Sequence, residues 1–311
     1  MNNEAFEKAR TFIYRNARPL DIVRFQYHFE NGSKEAVLTA LAAYQNEDGG
    51  FGYALEPDSW NPNSSPIQTR TATEILREIG FTDSAHPIIQ GILRFLGSGQ
   101  YFNGKFWSFA IKSNEDYPHA PWWGFNDADD NGGCNDYNPT TCLVGFTLRY
   151  AEKNSELFQT AARVANKAIK HFLDHDGFLN DGHCTLCYVR LMHYCEAAAL
   201  DSIDISAFKE KLYGNIKYLV TYTPPEKWDV NSYNDQPSFF LNSPDAVYSP
   251  EYKQLAELEC DWIIKTQLPD GSWPIPWGWN DYPEEWAISK NWWKGNGALL
   301  NLLYLKGMGV L

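Results

Sequence analysis

The sequence predicts an all-α protein built as a closed ring of helical hairpins, and three observations carry that prediction. Alternating β patterning is almost absent from the 311 residues, and apolar residues recur instead at helical spacing. The third observation is a repeated corner. In the stretch 261–293, Trp262 and Ile263 belong to a helix end, Gln267 follows, Pro269-Asp270-Gly271 makes a turn, and Trp273 comes at once. A glutamine amide placed there can bind loose backbone groups at helix ends while the indole covers it. Phe95-Leu96, Gln100 and Gly104-Lys105-Phe106 keep the spacing residue for residue, as do Ala40-Leu41, Gln45 and Gly49-Gly50-Phe51. Eroded copies follow at Phe172-Leu173 with Gly177-Phe178, and at Tyr218-Leu219 with Trp228. Paired helices that end in such corners cannot bury their apolar faces without neighbours, so the hairpins are expected to stack and close.

Residues 4–16 place Phe6, Ala9, Phe12 and Ile13 at helical spacing, and Arg18-Pro19 stops that helix. Helices follow at about 20–30 and 33–44, the latter opened by Ser33 and Glu35. A long Gly-, Pro- and Asn-rich loop then leads to Ser64-Ser65-Pro66, a hydroxyl cap with proline in the first turn, and Gly80 ends the helix it starts. A helix is predicted for 86–95. Residues 102–139 carry no sustained period, and a loop of that length is more often functional than idle. Asn138-Pro139 repeats the cap-then-proline signal ahead of a helix over 141–150. Further helices are predicted over 155–173, 183–200, 206–222, 250–266 and 289–306.

A formal net charge of −13 disfavours nucleic acid or an anionic membrane surface as partner, because such binding rests on Lys and Arg neutralising phosphates. It points to a neutral, cationic or metal-bridged ligand, or simply to solubility. No apolar run long enough for a transmembrane helix occurs and no signal-like segment opens the chain, so a soluble cytoplasmic protein is expected. Six unevenly spaced cysteines are expected as reduced thiols. Twelve tryptophans, crowded toward the C-terminal third, predict an aromatic wall. P-loop, GxGxxG, GxSxG and HExxH motifs are absent.

The glutamine-aromatic corners, together with the helix opening SSPIQTRTATEIL, resemble the QW repeats and helix starts of squalene-hopene and oxidosqualene cyclases. GGFGYALEPD, PHAPWW, NPTT and WGWNDYPEEW are similar to segments of uncharacterised bacterial proteins with prenyltransferase-like repeats. The resemblance covers nearly the whole chain. It implies a single (α/α)6 toroid of the kind shared by terpenoid cyclases and protein prenyltransferase β subunits, with one barrel where the cyclases pair two. Asp127-Ala128-Asp129-Asp130 matches the DxDD acid motif of class II cyclases letter for letter, which implies Asp129 or a neighbouring acid as proton donor; the other reading is a solvated or calcium-tolerant acidic turn. In the cyclases that motif directly precedes a helix, whereas NGGCNDYNPTT intervenes here.

Other candidates come from the residues themselves. Glu56 and Asp58, fixed by Pro57, could form an acid/base pair such as sugar chemistry requires, or could accept hydrogen bonds from helix N-termini. His119 beside Trp122 and Trp123 suits a general acid or a satisfied structural histidine. Asp281, Glu284 and Trp286 among Trp277, Trp279, Trp292 and Trp293 suit a wall that stabilises a carbocation or stacks on sugars, or a hydrophobic plug. His183, Cys184 and Cys187 near Asp181 have metal-like spacing, but Cys184, Cys187, Leu191 and Cys195 fall at helical intervals and read as buried small residues. No cofactor or metal is assigned. The resemblance implies a protonation-initiated cyclisation or isomerisation of an isoprenoid in a central aromatic-lined cavity, with a carbohydrate-active hydrolase or lyase and a non-catalytic binder as alternatives.

Overall fold

In the computed structural model, which describes residues 3–126, 137–198, 205–240 and 250–311, every regular element is helical. The β-pairing among the described residues is confined to isolated bridges. Twelve α-helices occur among them: α1 (Asn3–Asn16), α2 (Pro19–Phe29), α3 (Lys34–Ala42), α4 (Pro66–Glu78), α5 (Pro87–Gly97), α6 (Thr140–Tyr150), α7 (Glu156–Asp174), α8 (Gly182–Ala198), α9 (Ile205–Tyr222), α10 (Pro237–Phe240), α11 (Pro250–Thr266) and α12 (Pro283–Gly307). Short 3-10 turns at Lys112–Asp116 and Pro121–Trp123 occupy the stretch that lacks a sequence period. No helix among the described residues is long and apolar enough to cross a membrane.

The start of α4 follows the expected chemistry. The Ser65 hydroxyl accepts a hydrogen bond from the Gln68 amide at 3.2 Å, and Pro66 occupies the first turn, where its missing N–H costs nothing. The other proline signal reads differently: Pro139 is itself the cap of α6, and the helix begins at Thr140. At the C-terminal end α12 starts at Pro283, six residues before its predicted start, with Glu284 and Glu285 in the first turn.

The chain divides into two compact units, Leu41–Asn215 and a discontinuous one made of Met1–Ala40 and Ile216–Leu311. In the discontinuous unit Ala9, Ile13, Phe25, Cys260, Ile263, Leu299 and Leu302 share one core with Trp273. α1 lies tightly against α12: a Cβ added to Gly295 would fall 2.7 Å from the Cβ of Ala17. Asp21, fully buried, is clasped by Arg18 at 2.9 Å and Arg24 at 2.7 Å, and Arg24 also donates to Asn296 at 2.9 Å, joining α2 to α12. In the continuous unit α6 packs on both α4 and α8. Gly145 permits the α6–α8 approach, because a Cβ there would meet the Tyr194 ring at 2.7 Å and the Leu191 Cα at 3.2 Å.

The repeated corner is one local structure built twice. Gln45 Nε2 donates to the carbonyl of Gly49 at 2.9 Å and to that of Ile88, in α5, at 3.2 Å. Gln267 Nε2 donates to the carbonyl of Gly271 at 3.1 Å and to that of Ala5, in α1, at 2.9 Å. Each amide therefore closes its own turn and ties that turn to another helix. Asp48 and Asp270 each accept the backbone N–H two residues on, at 2.9 Å, and Gly49 and Gly271 share φ values of +94° and +92° that favour glycine. Phe51 and Trp273 are buried beside them, and the Trp273 indole donates to the Ile263 carbonyl at 2.8 Å. The third copy keeps the glycine turn, with Gly104 at φ +91°, but Gln100 is exposed and makes no tie to another helix among the described residues. Helix α5 has already ended at Gly97, and Gly99 at φ +74° turns the chain before Gln100.

Candidate functional site

The long loop before α4, which carries Glu56 and Asp58, is anchored to the helix that follows it. Gln68, fully buried, accepts the Leu55 amide at 2.8 Å and the Glu56 amide at 3.4 Å on its Oε1, and donates Nε2 to the Asn61 carbonyl at 3.1 Å. Its other neighbour is the 112–123 stretch. Ala120 N–H donates to the Asp58 carbonyl, and Trp60 N–H to the Pro118 carbonyl, both at 2.9 Å. Asn61 donates to Asn114 at 2.9 Å, and Asn114 donates to the Trp123 carbonyl at 2.8 Å. This zipper places Asp58, His119 and Trp123 in one locality through the Ser59–His119 bridge. Asp58 is buried and Glu56 half-buried. His119 is held to its own segment: Nδ1 lies 2.7 Å from the Tyr117 carbonyl, in the tautomer that donates, and Nε2 lies 3.8 Å from Glu115. Trp123 packs on Phe109 at 4.7 Å, whereas the neighbouring Trp122 is 40% exposed. Asp127, Asp129 and Asp130 lie outside the described residues.

In the discontinuous unit the predicted tryptophans separate into groups. Trp277 meets Trp293 edge to face at 5.3 Å and Tyr233 at 6.2 Å, while Trp279 lies at 5.7 Å from Trp286. The Trp277 and Trp293 indole N–H groups are buried with no acceptor among the described residues. Trp292 stands apart, facing the Arg18 guanidinium at 5.9 Å. Asp281 is exposed, and Glu284 is exposed in the first turn of α12, where a carboxylate favours the helix N-terminus. These acids thus sit on the surface, and they belong to a different compact unit from Glu56 and Asp58.

A second constellation, not singled out from the sequence, lies between α4 and α8. Arg70, Glu74 and Arg77 occupy positions i, i+4 and i+7 of α4 and so share one face. From α8, Arg190 Nε donates to Glu74 Oε2 at 2.6 Å; Arg77 Nη2 donates to the same oxygen at 3.1 Å. Arg70 hydrogen-bonds the Cys142 thiol and feels the Cys187 thiol and Glu74, and its Nε is buried without an acceptor among the described residues, as is that of Arg77. Glu74 Oε1 is likewise buried and unpartnered among the described residues. The side chains are nonetheless reached by water: Glu74 is 18%, Arg77 30% and Arg190 10% exposed. Deeply set groups that keep such access line a recess.

Titration behaviour reports the sign of the local field. Burial opposes ionisation of Glu74, but Arg190, Arg77 and Arg70 overcome it and hold the carboxyl well below its usual range. Burial, and then Arg190 and Arg77, lower the His193 pKa to about 4 against a smaller opposing pull from Glu196 and Glu74. His183 is pushed down by burial and then by Arg70. Burial works to raise Cys142, yet a hydrogen bond with Cys187 and the Arg70 and Arg190 charges bring that thiol below its ordinary value. A locally cationic recess thus exists in a chain of net charge −13.

Cys184, Cys187 and Cys195 are buried along α8, and Asp181 caps that helix by accepting the Cys184 amide at 2.8 Å. Among the described residues no three His, Cys, Asp or Glu side chains converge as a metal set. A cavity of about 520 Å³ lies elsewhere, between α1 and the Pro269-Asp270 turn. Glu4 and Lys8, which line it, pair with each other at 2.7 Å. No protein-family model and no curated protein matches the chain.

Proposed function

We propose that the chain is a hairpin-repeat protein of the terpenoid-cyclase kind, a single α/α toroid that takes an isoprenoid and cyclises or isomerises it by protonation. In this reading a carboxylic acid supplies the proton, for which the Asp127–Asp130 run, Asp129 first, is the candidate the DxDD pattern offers, and aromatic rings face the cation that results. The observation that carries the reading is the group formed by Tyr233, Trp277 and Trp293. Its rings meet edge to face, both indoles are only half-buried, and their N–H groups have no acceptor among the described residues. Aromatic faces arranged as a wall rather than a closed plug suit an apolar ligand that develops positive charge, because the ring quadrupole attracts a cation without a counter-ion that could trap it. The duplicated corners at Gln45 and Gln267 support the same lineage at the level of fold, which by itself does not fix chemistry. Sugar chemistry would use the same indoles, but it needs carboxylates beside them, and Asp281 and Glu284 are exposed.

The test is incubation of the purified chain with farnesyl diphosphate, geranylgeranyl diphosphate and squalene, with extraction and mass-spectrometric product analysis. A cyclised or isomerised product that falls at least a hundredfold in Asp129→Asn supports both the reaction and the acid. An unchanged product in that variant removes Asp129 from the role. No product from any of the three, with no change in tryptophan fluorescence on their addition, refutes the isoprenoid reading.

A further inference from the structure

We propose that the facing surfaces of α4 and α8 form a binding site for a phosphoryl group, with Arg70, Arg77 and Arg190 as donors and Glu74 as the brace that spaces them. This site lies wholly within the continuous unit and does not depend on the isoprenoid reading.

Charge and hydrogen-bond accounting lead to it. Three guanidiniums gather around one carboxylate, leaving a surplus of two positive charges at Glu74. Among the described residues the other acids that act on the group are Glu78, one residue past Arg77, and Glu196, which is already paired with Lys209 at 2.7 Å. Both arginine hydrogen bonds to Glu74 land on the same oxygen and use one N–H each. Most of the guanidinium donors, which are rigidly forked and permanently charged, are therefore unspent. Arg70 is the extreme case: its hydrogen-bond partner is the Cys142 thiol, a weak acceptor, and its buried Nε has no acceptor among the described residues. A buried cation left in that state costs stability unless something else completes it. The recess stays open to water, so an external oxyanion can enter.

The same numbers select the class of anion. A carboxylate brings one charge and two oxygens in a plane, and would leave one of the surplus charges unpaired. A phosphoryl dianion brings two charges and three oxygens arranged to receive guanidiniums from two helices. Arg70 and Arg77 stand about 10 Å apart along α4, two helical turns, which favours a diphosphate over a lone phosphate. Histidines kept neutral beside the arginines agree with a recess poised for negative charge.

The experiment is calorimetric titration of the full chain at low ionic strength with inorganic pyrophosphate, inorganic phosphate and succinate. The expected result is saturable one-to-one binding, tightest for pyrophosphate and at least tenfold weaker for succinate. Arg70→Gln is expected to weaken pyrophosphate binding at least tenfold while lowering the ligand-free Tm less than Glu74→Gln does, because Arg70 gives up only its Cys142 contact and a share of the field at Glu74. Arg163→Gln, a change on the exposed face of α7, is expected to leave binding intact. The proposal is overturned by absence of saturable binding, by equal affinity for succinate, or by binding that survives Arg70→Gln. A fall in the ligand-free Tm of Arg70→Gln as large as that of Glu74→Gln would also overturn it, since the guanidinium would then serve the fold.

Discussion

Replacing Gln267 by alanine removes two hydrogen bonds that no backbone group can supply in its stead. One closes the 267–271 turn on the Gly271 carbonyl; the other ties the turn to the Ala5 carbonyl in α1. Each bond is worth about 1 kcal/mol net, and a partly buried carbonyl left without a donor adds to that, so the expected loss is about 2–3 kcal/mol. Gln45→Ala breaks the same pair of bonds, to Gly49 and Ile88, and should cost a similar amount in the other compact unit. Gln100→Ala removes an exposed side chain with no tie to another helix, and should stay within about 0.5 kcal/mol of the parent. Circular dichroism during thermal and urea unfolding reads the three variants side by side. For domains of this size about 1 kcal/mol corresponds to roughly 2–4 °C, so the first two should melt about 5–10 °C early and the third with the parent. If the units unfold separately, Gln267→Ala should shift one transition and Gln45→Ala the other. Equal losses in all three variants would show that the repeated letters, and not the amide bridges, carry the stability, and would refute the account of the corners.

Glu259 is fully buried, accepts the Ser238 amide at 2.8 Å and hydroxyl at 2.5 Å, and has its pKa raised to about 7, chiefly by burial. A raised carboxyl contributes stability below its unfolded pKa and loses it as pH climbs through the folded value, so unfolding free energy should fall between about pH 4.5 and 7 and flatten in Glu259→Gln. Glu74 behaves oppositely: its lowered pKa contributes stability above the ordinary carboxylate range that is lost as pH falls, and Glu74→Gln should cost about 2–4 kcal/mol at neutral pH by freeing Arg190 and Arg77 to repel one another. Gly145→Ala places a methyl against Tyr194 and Leu191, and chemical denaturation should show a loss of about 1–3 kcal/mol as α8 is levered off α6.

Much of the helical framework was legible because its signals are local. Ser65 and Pro66 start α4 through a hydroxyl and a fixed φ, and Gln267 with Gly271 marks a corner within five residues. The beginning of α12 was not, since a tryptophan-rich approach hides the proline at Pro283 that opens the helix; Glu284 and Trp286 belong to its first turns and not to a loop. The 45–65 loop carries function-like acids, but the buried Gln68 gives it a structural anchor by accepting the Leu55 and Glu56 amides. The arginine recess was illegible for a physical reason. Arg70, Glu74 and Arg77 have the spacing of an ordinary solvated helix stripe, and only Arg190, 116 residues from Glu74, converts it into a recess. Gln68, Thr69 and Thr73 are polar and yet buried, so α4 has less outward surface than its letters suggest.

One compact unit is assembled from Met1–Ala40 and Ile216–Leu311, and this has a consequence for synthesis in the cell. Arg24 leaves the ribosome long before Asn296, its partner 272 positions later, exists. At ordinary translation speeds that interval lasts about 15–60 s, during which Phe6, Phe25 and Phe29 have no C-terminal helices to cover them. The intervening unit can form first, and the opening helices must wait as a nascent greasy tail for the final ones to arrive. A chaperone that shields early aromatic segments should therefore raise the yield of this chain more than one acting only after release.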